Sequence, residues 1–501
     1  MKQRITYVLP EGSRVESSDV KVDKDSLKFD RADEAAKEWR LTLALNDLPD
    51  EVREGCSWAV EHLANRSRCK QYSAIVMSFT VPLCDLLRKL LGVTAKCHSI
   101  QESFSSTPKI PERLAITTTW QYFQYAPLSS RLGEIFLSKA CNTGHPDLDA
   151  CAFAVRDLQR ASYVEFDFEA IGRKLEFTAV WAPQGPKQNR AMARRATRMI
   201  RRPKTGERTE VGTLQVEKAT EAEELSLGGF LTVIGEDDHP SKTLFSFPSR
   251  HHTLPGSSPV TFAASFQQPT GLHPKFQIKL PRQQLTPPKD TCGLHAYWTL
   301  PSALFIDRYQ LSDPLFLASQ NLVALHSLSG EQDLEAPNWV IEQWGSAALF
   351  ELGAPPSSQI GSSTQKSDWI ITIPTHLRYL AGPQKPTDTS GHASVDVPWP
   401  IVFWACEAEE GLEMSNNPFD RVDLGYDRLF GPQTTFYHIP PAPKVNTTVE
   451  EIKVPVLDSE KAEWVRAGTL IAVVAGFAWI CWQLLRATSG QNFKAQKQKR
   501  K

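Results

Sequence analysis

The stretch "AGTLIAVVAGFAWICWQLL", residues 467–485, constrains the fold of this 501-residue chain more than any other feature. It contains no charged side chain and one amide, Gln483, and an arginine stands at each end. A helix of this length rises about 28 Å, close to the hydrocarbon thickness of an endoplasmic reticulum bilayer. The run therefore predicts one transmembrane helix at 467–485; a buried helix in a soluble core is the alternative.

The charges around this run predict its orientation. Residues 486–501 carry six Lys or Arg and no acid, whereas the segment 446–466 before the run has both signs. The positive-inside rule then places 486–501 in the cytosol and residues 1–466 in the lumen. The amino terminus lacks the apolar core of a signal peptide, which favours the alternative of a tail-anchored, cytosol-facing tether.

Short motifs favour the lumenal orientation. Asn446 and Asn65 each begin an N-x-[ST] tripeptide, and we predict both as N-glycosylation sites. Lys497 and Lys499 stand fifth and third from the end, as in the K-x-K-x-x retrieval signal that cytosolic coat proteins read. The alternative for the last residues is a solvated basic tail.

The apolar run also has a face of small residues. Gly468, Ala472 and Gly476 recur at every fourth position, a spacing that lets another membrane helix approach closely. We therefore predict lateral docking onto a polytopic membrane partner, although small residues are also common in membrane helices.

The rest of the chain predicts a mainly β fold. Short apolar runs lie between clusters of Pro, Gly and Ser, with Pro 35 against Gly 27. The strand-like runs are "FLTVIG", "VTFAASF", "KFQIKL", "ALFEL", "DWIITIP" and "IVFWACEA". They predict an antiparallel β-sandwich-like lumenal domain at 229–445.

The amino-terminal region, 1–185, has mixed α/β signals. "DLPDEVREGCSWAVEHLANR" and "VMSFTVPLCDLLRKLLGV" have helical apolar spacing, whereas "SYVEFDFEAIGRKLEFTAVW" predicts paired strands with Gly172 near the turn. A basic run opens the segment 186–228, which we interpret as a linker; a patch for anionic lipid or nucleic acid is the alternative.

Signals for catalysis and metal binding are weak. The sequence has no Gly-rich phosphate loop, G-x-S-x-G elbow or H-E-x-x-H helix. Cys292 and His295 form a C-x-x-H pair and His251 and His252 are adjacent, but no second pair stands at ligand spacing. We predict no metal ligands, no cofactor and no catalytic residues.

The residues leave two questions open, a possible carboxylate site and the pairing of the cysteines. Asp147 and Asp149 form a D-x-D motif, which leaves a transferase as a rival interpretation, although no nucleotide-binding α/β pattern surrounds it. Eight of the nine cysteines precede the apolar run, and their spacing does not reveal which of them pair.

Several long strings carry a family resemblance. They are "FIDRYQLSD", "DLEAPNWVIEQWGSAALFEL", "IPTHLRYL", "VPWPIVFWACEAE" and "NPFDRVDLGYDRLFGPQTTFYHI", followed by "VPVLD" before the single apolar run. These strings closely resemble the PIG-X family, in its fungal PBN branch, over roughly residues 230–485.

The resemblance implies an endoplasmic reticulum membrane glycoprotein with a lumenal domain and one carboxyl-terminal helix. It implies the non-catalytic subunit of glycosylphosphatidylinositol (GPI) mannosyltransferase I, whose polytopic catalytic subunit adds the first mannose to the GPI-anchor precursor. The fungal branch is also implicated in folding other secretory proteins. Nucleic acid and a directly bound small-molecule substrate are not expected.

The shared strings contain two sets of residues with a possible role. We expect the tryptophans to fill the core or to contact the partner, and the polar residues to pair at the domain surface or at that interface. The tryptophans are Trp339, Trp344, Trp399 and Trp404. The polar residues are Asp333, Glu335, His376 and Arg378.

Overall fold

A computed structural model describes most of the chain. The described residues are 2–44, 84, 97–98, 100–106, 120–123, 161–169, 174–183, 199–201, 208–221, 223–254, 260–356, 368–382, 391–409, 425–442, 448–456 and 459–498. The predicted fold class is confirmed, because strands in several sheets dominate and one long apolar helix closes the chain.

The described strands before residue 250 belong mainly to one sheet. They are β1 (Lys2–Leu9), β2 (Val20–Asp23), β3 (Ser26–Phe29), β4 (Ala36–Ala44), β5 (Ser105–Ser106), β6 (Trp120–Gln121), β7 (Tyr163–Glu169), β8 (Lys174–Trp181), β9 (Met199–Arg201), β10 (Arg208–Glu217), β11 (Glu224–Val233) and β12 (Ser241–Pro248). Seven of them form the amino-terminal sheet, in the order β12-β11-β10-β1-β4-β8-β7. Its β1–β10 pairing is parallel, and its other pairings are antiparallel.

The two faces of the amino-terminal sheet differ in polarity. The apolar side chains of β1 and β4 alternate with polar ones, as expected for strands with one buried face. The smaller β2-β3-β9 sheet contributes to the core on that face, where Tyr7 packs on Phe29 with ring centroids 5.4 Å apart. On the opposite face Arg4 and Arg40 are cross-strand neighbours among glutamates.

The remaining strands build the region that resembles the PIG-X family. They are β13 (His251–Thr253), β14 (Ala263–Phe266), β15 (Lys275–Leu280), β16 (Gly293–Pro301), β17 (Leu304–Phe305), β18 (Leu322–Gly330), β19 (Gly345–Leu352), β20 (Trp369–Pro374), β21 (His376–Leu377), β22 (His392–Pro398), β23 (Ile401–Glu407), β24 (Thr434–Ile439) and β25 (Val449–Pro455). The α-helices whose bounds lie within the described residues are α1 (Ile100–Ser103), α2 (Pro314–Ser319) and α3 (Ser459–Gln498).

The central sheet of this region has the order β13-β24-β23-β16-β19-β18 and is buried on both faces. One face shares a core with the β14-β15-β20 and β22-β25 sheets, where Trp298 packs on Phe276 with ring centroids 4.3 Å apart. The other face carries an aromatic cluster that includes Tyr297, Phe403 and Phe436. Burial of both faces explains why its central strands are almost continuously apolar.

Most strand predictions are confirmed. Each of the six strand-like runs overlaps an observed strand, and "SYVEFDFEAIGRKLEFTAVW" forms the antiparallel pair β7–β8. The two helices predicted within 47–66 and 76–93 lie outside the described residues, apart from Cys84.

The structure differs from the predicted linker at 186–228. Strand β10 lies inside the amino-terminal sheet between β1 and β11, and β11 begins at Glu224. The stretch "TEVGTLQV" after Arg208 has no clear period-2 signal, because Val211 lies on one face of the strand and Leu214 and Val216 lie on the other. Residues 211–215 are all buried, so β10 is an inner strand and not part of an exposed linker. The division of the chain into domains stays a prediction.

Candidate functional site

Three of the strings that carry the family resemblance meet at one place. Strand β17 pairs with β21, so that Phe305 lies opposite His376. The loop after β18 joins them, because the Asn338 N–H donates to the Tyr379 carbonyl oxygen at 3.0 Å. The Ser302 hydroxyl donates to the side-chain oxygen of Asn338 at 2.7 Å.

Arg378 holds these segments together from a buried position, with 3% of its surface exposed. Its backbone N–H donates to the Ala303 carbonyl oxygen and its Nη1 donates to the Ala336 carbonyl oxygen, both at 2.8 Å. Its guanidinium lies 4.5 Å from the centroid of the Phe305 ring. Burial lowers the pKa of the guanidinium, and the charges of Glu331 and Asp333 oppose that shift.

Two donors of Arg378 remain without an acceptor. Its Nε and Nη2 are buried and form no hydrogen bond within the described part of the chain. A buried charged donor left unpaired is unfavourable by about 1–3 kcal/mol or more, so the guanidinium is held here mainly by its remaining bond and its ring contact.

The other predicted polar residues have local roles. The Asp333 carboxylate accepts hydrogen bonds from the N–H groups of Glu335, at 2.8 Å, and Ala336, at 2.9 Å. These bonds lower the pKa of Asp333, and Arg378 adds to the shift. His376 stacks on Phe305, and burial followed by the neighbouring His273 lowers the pKa of its imidazole.

Apolar side chains are exposed beside this assembly. Trp339, Val340 and Tyr379 are 58%, 59% and 68% exposed, and we call these three residues the Trp339 surface. By contrast, Trp344 and Trp404 are buried, as the core hypothesis predicted. An apolar patch next to a rigid, hydrogen-bonded support is typical of a protein contact surface.

The predicted docking residues lie on α3. Its segment Ala462–Ala487 is long and apolar enough to cross a membrane, and it includes the predicted span 467–485. Gly468, Ala472 and Gly476 are exposed, and a Cβ added at either glycine would meet nothing within 4 Å. Their role in docking stays a prediction.

Several sequence predictions fall where the structure gives no test. The glycosylation candidates Asn65 and Asn446, the retrieval residue Lys499 and the rival pair Asp147 and Asp149 lie outside the described residues. Lys497 lies near the end of α3, and its side chain is not described.

The structure shows two disulfides among the cysteines whose pairing the sequence left open. Cys292 pairs with Cys406 and Cys84 pairs with Cys97. Because the Cys292 sulfur is bonded to Cys406, Cys292 and His295 do not form a metal-binding C-x-x-H pair. His295 instead lies near His326 and Glu351, and the three offer ligand atoms within 4.8 Å of one another.

This trio was missed from the sequence. Its members come from three strands, at positions 295, 326 and 351, so no short spacing motif links them. The sequence offered only a histidine on each of two strands, β16 and β18, and the strand register that places them on either side of β19 cannot be read from it.

A mainly β chain with one helix long and apolar enough to cross a membrane is consistent with a single-pass membrane protein. The chain is a member of the PIG-X / PBN1 family. The model of that family matches residues 269–485. "Protein pbn1" of Emericella nidulans is 37% identical over 100% of this chain and 98% of that protein, and "Protein pbn1" of Neurospora crassa is 36% identical over 99% and 97%. "Protein PBN1" of Saccharomyces cerevisiae is 29% identical over 55% of this chain and 58% of that protein.

Proposed function

We propose that this chain is the non-catalytic, stabilising subunit of GPI mannosyltransferase I in the endoplasmic reticulum membrane. The observation that carries the proposal is family membership over the whole chain, together with what the PIG-X resemblance implies. The domain before α3 faces the lumen, the tail after it faces the cytosol, and the polytopic catalytic subunit is the partner. A role in folding other endoplasmic reticulum proteins accompanies this one.

The structure supports the proposal through two exposed apolar surfaces. The Trp339 surface lies on the proposed lumenal domain, and the small residues Gly468, Ala472 and Gly476, which we call the Gly468 strip, lie on α3. A partner with both membrane helices and lumenal loops would cover both, which would explain why each is exposed in the single chain.

The first experiment removes the protein and measures the catalytic subunit. Loss of a stabilising subunit should lower the amount of the catalytic subunit and the transfer of the first mannose together, and wild-type protein should restore both. Normal catalytic-subunit levels with undiminished transfer would overturn the proposal.

A second experiment tests the helix contact. Replacing Gly468, Ala472 and Gly476 by Ile should reduce co-purification of the catalytic subunit in mild detergent, because bulky residues keep the helices apart. The control replaces Ala467 and Ala478 by Ile, since at about 100° per residue they lie roughly 120–140° from the strip's centre. Equal recovery from both variants would exclude the strip.

A third experiment tests the lumenal contact. Trp339→Ala combined with Tyr379→Ala should weaken recovery of the catalytic subunit, and Leu244→Ala should not. Leu244 is a suitable control because it is 71% exposed but lies on β12 of the amino-terminal sheet. If Leu244→Ala weakens recovery equally, loss of exposed apolar area alone is the cause.

Topology needs its own test. Glycosidase should change the mobility of the wild-type protein, and Asn446→Gln should remove part of that change. Protease added outside sealed microsomes should leave a large protected fragment. Full digestion with no glycosidase shift would place the domain in the cytosol, and a tail-anchored tether would replace the proposed function.

A further inference from the structure

The register of the central sheet brings three metal-type ligands together. His295 on β16 lies directly opposite Glu351 on β19. On the other side of β19, the register of β18 shifts between Leu325 and Ser327, and His326 occupies that bulge. His326 Nε2 lies 2.7 Å from Glu351 Oε2. The bulge matters because an extra residue re-aims a side chain that regular alternation would place elsewhere.

His295 is oriented as a metal ligand. Its Nδ1 lies 2.9 Å from the carbonyl oxygen of Gly293, and since a carbonyl only accepts, Nδ1 carries the proton. The lone pair is then on Nε2, which forms no hydrogen bond to other described residues. A backbone carbonyl that fixes the tautomer in this way is a common partner of metal-bound histidine.

The backbone beside His295 leaves room for this ring position. A Cβ added at Gly293 would lie 2.8 Å from Cε1 of the imidazole, so any larger residue displaces the ring. Phe403 and Phe430 flank the imidazole with ring centroids at 5.9 Å and 5.1 Å. The histidine is thus buried and positioned on an aromatic support.

The other two ligands leave the site accessible. His326 is exposed and Glu351 is partly exposed, so an ion can enter from solvent. Two imidazoles and one carboxylate suit Zn²⁺ with a fourth position for water. Zinc binding would release the proton that His326 Nε2 shares with Glu351 Oε2 to solvent, so that both atoms face the ion. In a tetrahedral zinc site the ligand atoms lie about 3.4 Å apart, and side-chain movements of about 1–1.5 Å would give that spacing.

We propose that His295, His326 and Glu351 form a zinc-binding site that joins strands β16, β19 and β18 of the central sheet. This proposal does not depend on the proposed role as a mannosyltransferase subunit. Its ligands come from three adjacent strands, so the ion would hold the edge strand β18 to the sheet.

The test uses the full chain, purified in detergent through a tag without histidines and stripped with chelator. Zinc chloride is added back, and bound zinc is measured by mass spectrometry after dialysis, alongside the thermal unfolding midpoint. One zinc ion per chain and a higher midpoint are expected. His326→Ala and Glu351→Gln should each lower the zinc affinity at least tenfold and abolish the rise in midpoint.

The matched control is His273→Ala, because His273 is also an exposed histidine paired with another, His376, at 2.8 Å. That variant should bind zinc as the wild type does. Gly293→Ala should weaken zinc binding by displacing His295, without removing a ligand.

Cobalt provides a second readout. Cobalt bound to the wild type should show the absorption of a tetrahedral nitrogen and oxygen site without a thiolate band, and His326→Ala should lose it. Failure of the wild type to retain zinc, or equal affinity in the wild type and the His326→Ala, Glu351→Gln double variant, would overturn the proposal.

Discussion

The amino-terminal sheet and the central sheet use their faces differently. The amino-terminal sheet has an apolar core on one face and a partly exposed network of arginines and glutamates on the other. The central sheet buries aromatic and aliphatic side chains on both faces. Because apolar burial contributes more to stability than exposed ion pairs, the difference indicates that stability is concentrated in the region that resembles the PIG-X family.

Replacing one tryptophan in each sheet by alanine should give the largest difference in stability between the two regions. Trp298 is fully buried and donates a hydrogen bond to the Pro398 carbonyl oxygen at 2.7 Å, whereas Trp39 in β4 is half-buried. Trp298→Ala should lower local stability by about 3–5 kcal/mol, and Trp39→Ala by about half as much. Hydrogen exchange measured separately for β16 and β4 checks this, because it reports stability region by region. Equal losses would contradict the comparison.

The disulfide in the central sheet should have the next effect. Cys292 and Cys406 are separated by 114 residues, and replacing both by Ala should lower stability by about 2–4 kcal/mol, since the unfolded chain regains freedom. Faster hydrogen exchange is expected in β16 and β23 and not in β1. Cys481→Ala is the control, because Cys481 is a free cysteine on α3. Equal acceleration in β1 would show that both sheets unfold as one unit.

The sequence predicted strands well in both regions, for different reasons. "SYVEFDFEAIGRKLEFTAVW" alternates because Phe177, Ala179 and Trp181 lie on one buried face of the sheet, and "IVFWAC" is continuously apolar because both faces of its strand are buried. Both are local signals. The place of β10 beside β1 was not predicted, because parallel pairing over 206 residues leaves no local pattern.

The candidate sites were predicted only in part. Arg378 was singled out within its string, but its burial follows from the meeting of three distant segments. The zinc-ligand trio depends on strand register and on the bulge at His326, which no spacing in the sequence encodes. By contrast, the apolar part of α3 was predictable because hydropathy along a single segment suffices.

The contact between the two regions should contribute less than either core. Glu223 is buried just before β11; its carboxylate pairs with the Lys289 ammonium and accepts from the Glu409 N–H at 3.1 Å. Burial opposes the charge on Lys289, but the bond and charge of Glu223 raise its pKa above the ordinary value. Glu223→Gln should therefore cost about 1–3 kcal/mol.

The control for this contact is Glu224→Gln. Glu224 accepts a surface hydrogen bond from Ser246 at 3.0 Å, within the amino-terminal sheet. Limited proteolysis should release the two regions from each other sooner in Glu223→Gln than in Glu224→Gln. Identical cleavage patterns would show that the carboxylate of Glu223 does not couple the regions.

The partly buried charges on the second face of the amino-terminal sheet should have the smallest effect. Arg40 lies 3.3 Å from Glu38 and 3.4 Å from Glu176, but its cross-strand neighbour is Arg4. Burial and the nearby charge of Arg40 lower the pKa of the Arg4 guanidinium, so the two arginines repel. Arg40→Gln removes both the attraction to the two glutamates and the repulsion from Arg4. The free energy of unfolding should therefore change by less than about 1 kcal/mol. Thermal unfolding at low salt and at about 1 M salt checks this. Salt screens the charges, so any difference in stability between Arg40→Gln and the wild type should disappear at about 1 M. A loss of several kcal/mol that persists in high salt would mean that this charged face contributes as much as a buried core, and the contrast between the two sheets would fail.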